Sequence, residues 1–222
     1  MLLCCLTIAS VCSAQGVNVS GSITAEPEGV TSTASVVWLT PAGVVADLAP
    51  PAPMHAVLTQ KNKAFEPHLL VITRGSSVEF PNRDPWFHNV FSLFNGKRFD
   101  LGLYESGTSR SVRFDREGVS YIFCNIHPEM GAVVLALNTP YYGISGENGV
   151  VALHNVPAGS YRLNVWSENG QLANPNVSQR IVQVSTDPVY LGDITLWATT
   201  DAFAHHKNKF GEDYEPSREQ KY

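Results

Sequence analysis

The hydropathy pattern of this chain predicts an all-β fold, built as two antiparallel β-sandwiches in series. Three observations carry that expectation. Short apolar or alternating runs recur along the chain, turn signals rich in Gly, Pro and Asn separate them, and no segment sustains a helical period. Many short strands punctuated in this way form a sandwich or a barrel.

The elements follow in chain order. Residues 1–14 carry no charge, are mostly apolar and end in small side chains at Cys12 and Ala14, so they read as a secretory signal peptide cleaved after Ala14. Export to the periplasm or the medium is the corresponding expectation. No window elsewhere reaches the roughly 20 apolar residues of a membrane-spanning helix. Strands are expected at 17–23 and 35–39. The segment 49–53 holds Pro50, Pro51 and Pro53, which remove ladder donors, and reads as a loop. Further strands are expected at 69–72, 78–80, 88–91, 112–114, 119–123 and 132–137, with turns at Arg74-Gly75, Pro81-Asn82, Asn95-Gly96 and Glu117-Gly118. Together, residues 15–138 make the first module. Pro140, Gly143, Gly146 and Gly149 then interrupt the apolar pattern. Strands at 150–153, 161–166, 180–184 and 189–197 make a smaller β module over 139–198. Residues 199–222 are polar, charged and aperiodic, and are expected to form a flexible tail.

At 222 residues the chain can bury one generous core or two small ones. Its 15 basic and 20 acidic residues give a net charge of −5, and the basic residues are scattered, which argues against a nucleic-acid partner.

Cysteine usage points to chemistry. Cleavage after Ala14 removes Cys4, Cys5 and Cys12 and leaves Cys124 alone. A single thiol in an oxidising compartment has no internal disulfide partner, and metal ligation explains its presence. The stretch Cys124-Asn125-Ile126-His127-Pro128-Glu129-Met130 directly follows the apolar run 119–123, and Phe87-His88-Asn89-Val90 lies upstream on a different strand. A thiolate, two imidazoles and a thioether form the ligand set of a blue-copper centre, with three strong ligands in a plane and one weak axial sulfur. Taken singly, each residue has an ordinary reading: a buried Cys is a small hydrophobe and a Met fills a gap. Their ordered occurrence in one loop after a strand favours ligation. For His55, His68, His154, His205 and His206 the ordinary reading prevails.

These residues resemble the cupredoxins, and the short ligand loop is similar to that of amicyanin, with two residues between Cys and His and two between His and Met. Phe65-Glu66-Pro67, the segment 74–80 and Asn82-Arg83-Asp84 also resemble the family's approach to its first His, so the likeness covers roughly residues 57–137. The resemblance implies a cupredoxin-type Greek-key β-sandwich with one type 1 copper ion held by His88, Cys124, His127 and Met130. It also implies that Asn89 ties the two ligand loops together from outside the ligand set. Two positions depart from the pattern. Ile126 stands where amicyanin has a proline, so a backbone N–H is available near the Cys sulfur, and Glu129 places a charge between His127 and Met130.

The segment 155–166, Asn155 to Trp166, resembles the strand-turn-strand signature of carboxypeptidase regulatory-like domains, a transthyretin-type β-sandwich. Such modules are binding or spacer domains. Chains combining both parts resemble proteins labelled methylamine utilisation proteins.

Other chemistries fit poorly. Structural zinc sites draw on two or more Cys. A binuclear copper site needs a second loop Cys, and the position four before Cys124 is Ser120. No His-x-His pair, Gly-x-Ser-x-Gly, His-Glu-x-x-His or phosphate loop occurs, so no enzymatic activity is expected. The expected function is an exported one-electron carrier that meets a redox partner protein transiently, with the second module contacting a protein or the cell surface. Copper storage or delivery, and a metal-free binding or adhesion protein, are the alternatives.

Overall fold

The computed structural model describes residues 16–27, 34–43, 51–93, 96–199 and 206–214. The predicted signal peptide lies outside the described residues. In chain order the strands are β1 (Val17–Glu26), β2 (Ser35–Pro41), β3 (His55–Val57), β4 (Thr59–Lys61), β5 (Ala64–Glu66) and β6 (Leu69–Thr73). Next come β7 (Ser77–Pro81), β8 (His88–Ser92), β9 (Phe99–Tyr104), β10 (Ser109–Arg113), β11 (Gly118–Phe123) and β12 (Gly131–Leu137). The last six are β13 (Tyr142–Ile144), β14 (Val150–Val156), β15 (Gly159–Ser167), β16 (Gly170–Leu172), β17 (Ile181–Val184) and β18 (Val189–Ala198). A single 3-10 turn, Pro175–Gln179, is the one helical element among the described residues, and no described helix is long and apolar enough to cross a membrane. The fold is all-β, as the hydropathy pattern predicts.

Pairing sorts these strands into two sandwiches. One sets the sheet β6-β12-β11-β8-β9 against β10-β7-β3, with the β4–β5 hairpin alongside. The other sets β14-β1-β18-β16 against β13-β2-β15-β17. This corrects the expected division into 15–138 and 139–198: β1 pairs with β14 and β18, and β2 pairs with β13 and β15. The sandwich of β3–β12 is therefore inserted between β2 and β13 of the other. Alternation along a strand specifies which face is apolar but not which sheet that face will meet, so the partners of β1 and β2 are invisible in their own residues. Residues 51–54, just before β3, and the glycine-rich segment near 140 flank the inserted sandwich; the rest of the proline-rich segment lies outside the described residues.

Each sandwich has its own core. Ile72, Val78, Phe80, Val90, Phe114, Ile122 and Val134 fill the inserted one. Val19, Val37, Leu39, Leu153, Tyr161 and Leu163 fill the other. A third cluster joins them, in which Val36, Val71, Leu135 and Leu137 pack with Trp38 and Trp166. This explains why β2 and β12 are apolar at successive positions rather than alternately. In β12, Ala132, Val134 and Ala136 face the inserted core while Leu135 and Leu137 face the junction. Both faces are covered, as in a buried strand of a layered sheet. The junction also has a polar clasp: the imidazole of His68 lies 2.8 Å from the buried carboxylate of Glu168 and 3.1 Å from the Gly131 carbonyl.

Phe114 is fully buried and meets Phe99 edge-on at 6.0 Å between centroids. Phe114→Ala is expected to destabilise the inserted sandwich by about 3–5 kcal/mol, through lost burial and the cavity left behind. Denaturant unfolding of the metal-free protein measures the loss.

Candidate metal centre

Three of the sequence-predicted residues converge at one end of the inserted sandwich. β11 alternates until Ile122 points into the core, Phe123 lies on the opposite face, and Cys124 follows at the strand's end, fully buried. The loop then closes on itself. Cys124 N–H donates to the Met130 carbonyl at 3.3 Å, and Met130 N–H donates to the His127 carbonyl at 3.0 Å. Pro128 and Glu129 stay exposed while Met130 is buried in the same core cluster as Cys124. His88 opens β8, which runs antiparallel to β11 with Phe91 opposite Phe123. That register carries His88 past the end of β11, beside the loop.

The resulting donor atoms form a compact triangle. His88 Nδ1 lies 3.1 Å from His127 Nδ1, Cys124 Sγ lies 3.8 Å from His88 Nδ1, and Cys124 Sγ lies 3.6 Å from His127 Nδ1. The point equidistant from all three is about 2.0 Å from each, the length of a metal–imidazole bond and slightly under that of a metal–thiolate bond. Among the described residues these three form the one cluster of His, Cys, Asp and Glu with metal-holding geometry. One sulfur and two imidazole nitrogens, drawn from a strand and a separate loop, suit copper in a trigonal site. The residues present fit that ion.

The surroundings prepare each donor. His88 is fully buried, and its Nε2 donates to Asp84 Oδ2 at 2.8 Å. An ionised carboxylate accepts only, so this contact places the proton on Nε2 and leaves Nδ1 of the neutral ring free to bind. Asp84 is itself held by the backbone N–H groups of Asn62 and Lys63, at 2.6 and 2.9 Å. Both donors sit in the left-handed region, φ 55° each, at the β4–β5 turn. Burial pushes the Asp84 pKa up, but the Lys63 amide, His88 and the Asn62 amide outweigh it and hold the carboxyl below its ordinary value. At His127, burial and the neighbouring His88 lower the pKa, which favours the neutral ligand form.

At Cys124, burial raises the thiol pKa despite hydrogen bonds from the backbone N–H groups of Asn89, Ile126 and His127, while Glu129 adds to the rise. Copper loading at neutral pH is therefore expected to displace a thiol proton. The Ile126 amide is among the sulfur's donors, as its non-proline identity permits. Asn89 reaches the Cys loop through its backbone; its side chain turns the other way and donates to Asp100 Oδ1 at 2.7 Å. Of the other histidines, His55 faces Glu79 at 3.5 Å, His154 faces Asn18 at 3.1 Å, and His205 lies outside the described residues.

Sequence reasoning did not single out Asp84 as a partner of His88. Its signal was present, since Asn82 Oδ1 accepts the Asp84 N–H at 3.0 Å in a short turn four residues before His88. It also did not anticipate the C-terminal segment. Residues 206–214, expected within a flexible tail, pack on the loop: His206 stacks on Phe123 and Tyr214 donates to the Cys124 carbonyl.

No protein-family model matches the chain, and a comparison with curated proteins yields no match. Solved structures match part of it. A purple cupredoxin from Nitrosopumilus maritimus is 24% identical over 37% of this chain and 99% of its own, with a TM-score of 0.34. Amicyanin from Paracoccus versutus is 21% identical over 37% of this chain and 81% of its own, with a TM-score of 0.35. A copper-containing nitrite reductase from Thermus scotoductus is 22% identical over 45% of this chain, with a TM-score of 0.36, and this chain spans 26% of its length.

Proposed function

We propose that the protein is an exported type 1 copper protein that carries single electrons, with no catalysis of its own. The observation that carries this reading is the triangle of His88 Nδ1, Cys124 Sγ and His127 Nδ1 with sides of 3.1 to 3.8 Å. In this reading Met130, buried in the same core cluster as Cys124, would supply a weak thioether donor. Copper held there supplies a one-electron Cu(II)/Cu(I) couple. The chain's own contribution is to hold three donors on a rigid sheet end, exclude water from His88 and Cys124, and leave the His127 ring partly exposed as the electron's exit.

Burial of two of the three strong ligands favours a carrier over a copper delivery protein, whose ion must exchange readily. Exposed Trp86, Phe87 and Ile126 adjoin the ligands in sequence and suit a small, transient contact with a redox partner. The second sandwich is assigned the role of a carboxypeptidase regulatory-like spacer that positions the carrier on a protein or the cell surface. The Tyr161 hydroxyl, donating to the Pro157 carbonyl at 3.0 Å, closes the turn of the motif behind that assignment.

Protein-film voltammetry tests the proposal. A fast, reversible one-electron wave is expected; sluggish exchange together with rapid loss of copper to a chelator would favour delivery. Ile126→Pro deletes one donor to the sulfur. Because hydrogen bonds to the thiolate stabilise reduced copper, the potential is expected to fall by roughly 60 mV, the one-electron equivalent of a tenfold change. An unchanged or higher potential would remove that role from the Ile126 amide.

A further inference from the structure

We propose that residues 206–214 form a positioning strap for the metal loop, with Tyr214, Lys209 and His206 holding the peptide that bears Cys124. For its consequences on copper, this rests on the reading of the site given above.

The strap touches three successive residues of the ligand strand and loop. The His206 ring stacks on Phe123 at 4.1 Å between centroids and 10° between planes. Tyr214 O–H donates to the Cys124 carbonyl at 2.9 Å. Lys209 N–H donates to Asn125 Oδ1 at 2.9 Å. A fourth contact reaches the His88 side of the site: Lys209 Nζ lies 2.8 Å from Asp100 Oδ2, and Asp100 Oδ1 accepts from the Asn89 side chain. Both ligand-bearing segments, β8 and the Cys124 loop, are thereby tied to one piece of chain.

The segment has an internal order that lets it act as a unit. Asn208 Oδ1 accepts the N–H groups of Phe210 and Glu212 at 2.9 and 3.0 Å, and the Asn208 carbonyl accepts the Gly211 N–H at 2.9 Å. Gly211, at φ 81°, takes the left-handed conformation that this turn requires. His206 Nε2 lies 3.1 Å from the Tyr214 oxygen. Since the single Tyr214 proton is given to Cys124, His206 Nε2 must donate to Tyr214, and the chain of donors runs from His206 through Tyr214 to the Cys124 peptide. His206 also covers the face of β11 that points away from the core. Phe123 and Phe91, 5.9 Å apart on that face, are 4% and 1% exposed.

The strap is also the chain's return from the second sandwich to the metal loop, since it follows β18. Holding the loop before metal arrives limits how far the sulfur must move on loading or on a change of oxidation state.

Amide hydrogen exchange of the metal-free protein tests the strap without copper. The reporters are the Cys124 and Met130 amides, which close the loop. Truncation after Thr199 is expected to speed their exchange by about tenfold or more, with the amides of β14 to β18 unchanged. Tyr214→Phe, which removes one hydroxyl, is expected to give about a fivefold rise. Exchange at Cys124 and Met130 that is unchanged in both variants overturns the proposal. If truncation disturbs both sandwiches alike, Tyr214→Phe alone decides. A copper-loaded arm reads the Cu(II) paramagnetic spectrum, where Tyr214→Phe is expected to alter the hyperfine splitting. Failure of the unmodified chain to give a blue-copper spectrum would refute the electron-carrier reading, while the exchange result would still stand for or against the strap.

Discussion

Cys124→Ser is expected to abolish the intense visible absorption of the copper-loaded protein and to leave an ordinary tetragonal Cu(II) signal. The absorption of a blue-copper site arises from charge transfer between thiolate and metal, and Cys124 is the one cysteine among the described residues. Serine keeps nearly the same shape in the fully buried position but offers a hard oxygen in place of a soft sulfur. The three backbone N–H groups that point at the sulfur, from Asn89, Ile126 and His127, can still find an acceptor in the hydroxyl. The fold should therefore survive, and the unfolding midpoint of metal-free Cys124→Ser should lie close to that of the parent. A variant that remained blue would show that the colour comes from elsewhere.

Asp84→Ala is expected to weaken copper binding by 10- to 100-fold, the typical cost of removing a ligand's outer hydrogen-bond partner. The argument rests on the buried pair His88 Nε2 and Asp84 Oδ2 at 2.8 Å. With the carboxylate gone, the proton on Nε2 has no acceptor and the ring no longer favours a free Nδ1. The amides of Asn62 and Lys63 also lose their shared acceptor, so some destabilisation of the β4–β5 turn accompanies the change. Asp84→Asn separates the two effects. Its side-chain oxygen still accepts from His88, but the negative charge near the metal is removed. Affinity should then fall less than in Asp84→Ala, while the reduction potential should rise in both, because the charge favours Cu(II). Competition with a chelator of known affinity gives the first quantity and voltammetry the second.

The fold class and most of the strands are legible in the residues. Alternation in β1 and β14, and the doubly apolar runs of β2 and β12, announce strands whatever their partners. The ligand triangle is legible too, because Cys124 and His127 share a loop whose closure is local and His88 opens a strand. What the residues conceal is long-range assembly. Val36 and Trp38 show that both faces of β2 want cover, but not that one face meets Leu135 and Leu137 across the junction. For that reason residues 17–41 do not reveal on their own that β1 and β2 pair with β13 to β18.

The same limit applies nearer the site. Asp84 reads as one acidic turn residue among several until the β4–β5 hairpin brings two amide donors and His88 brings a third. His206 and Tyr214 lie in a polar, aperiodic stretch, where periodicity has nothing to report. The stacking of His206 on Phe123 and the bond from Tyr214 to the Cys124 carbonyl depend on where the other sandwich delivers the chain after β18. Propensity and pattern describe what a segment does alone, and these contacts belong to segments far apart in sequence.

The paired visible absorption and electron paramagnetic resonance spectra of the purified protein after addition of one equivalent of Cu(II) test the central claim most directly. Intense blue absorption with a narrow copper hyperfine splitting is the predicted result, and it requires Cys124 Sγ, His88 Nδ1 and His127 Nδ1 to bind the same ion. A colourless protein with a wide, tetragonal copper signal would contradict the account, because it would mean that the sulfur of the triangle is not a ligand.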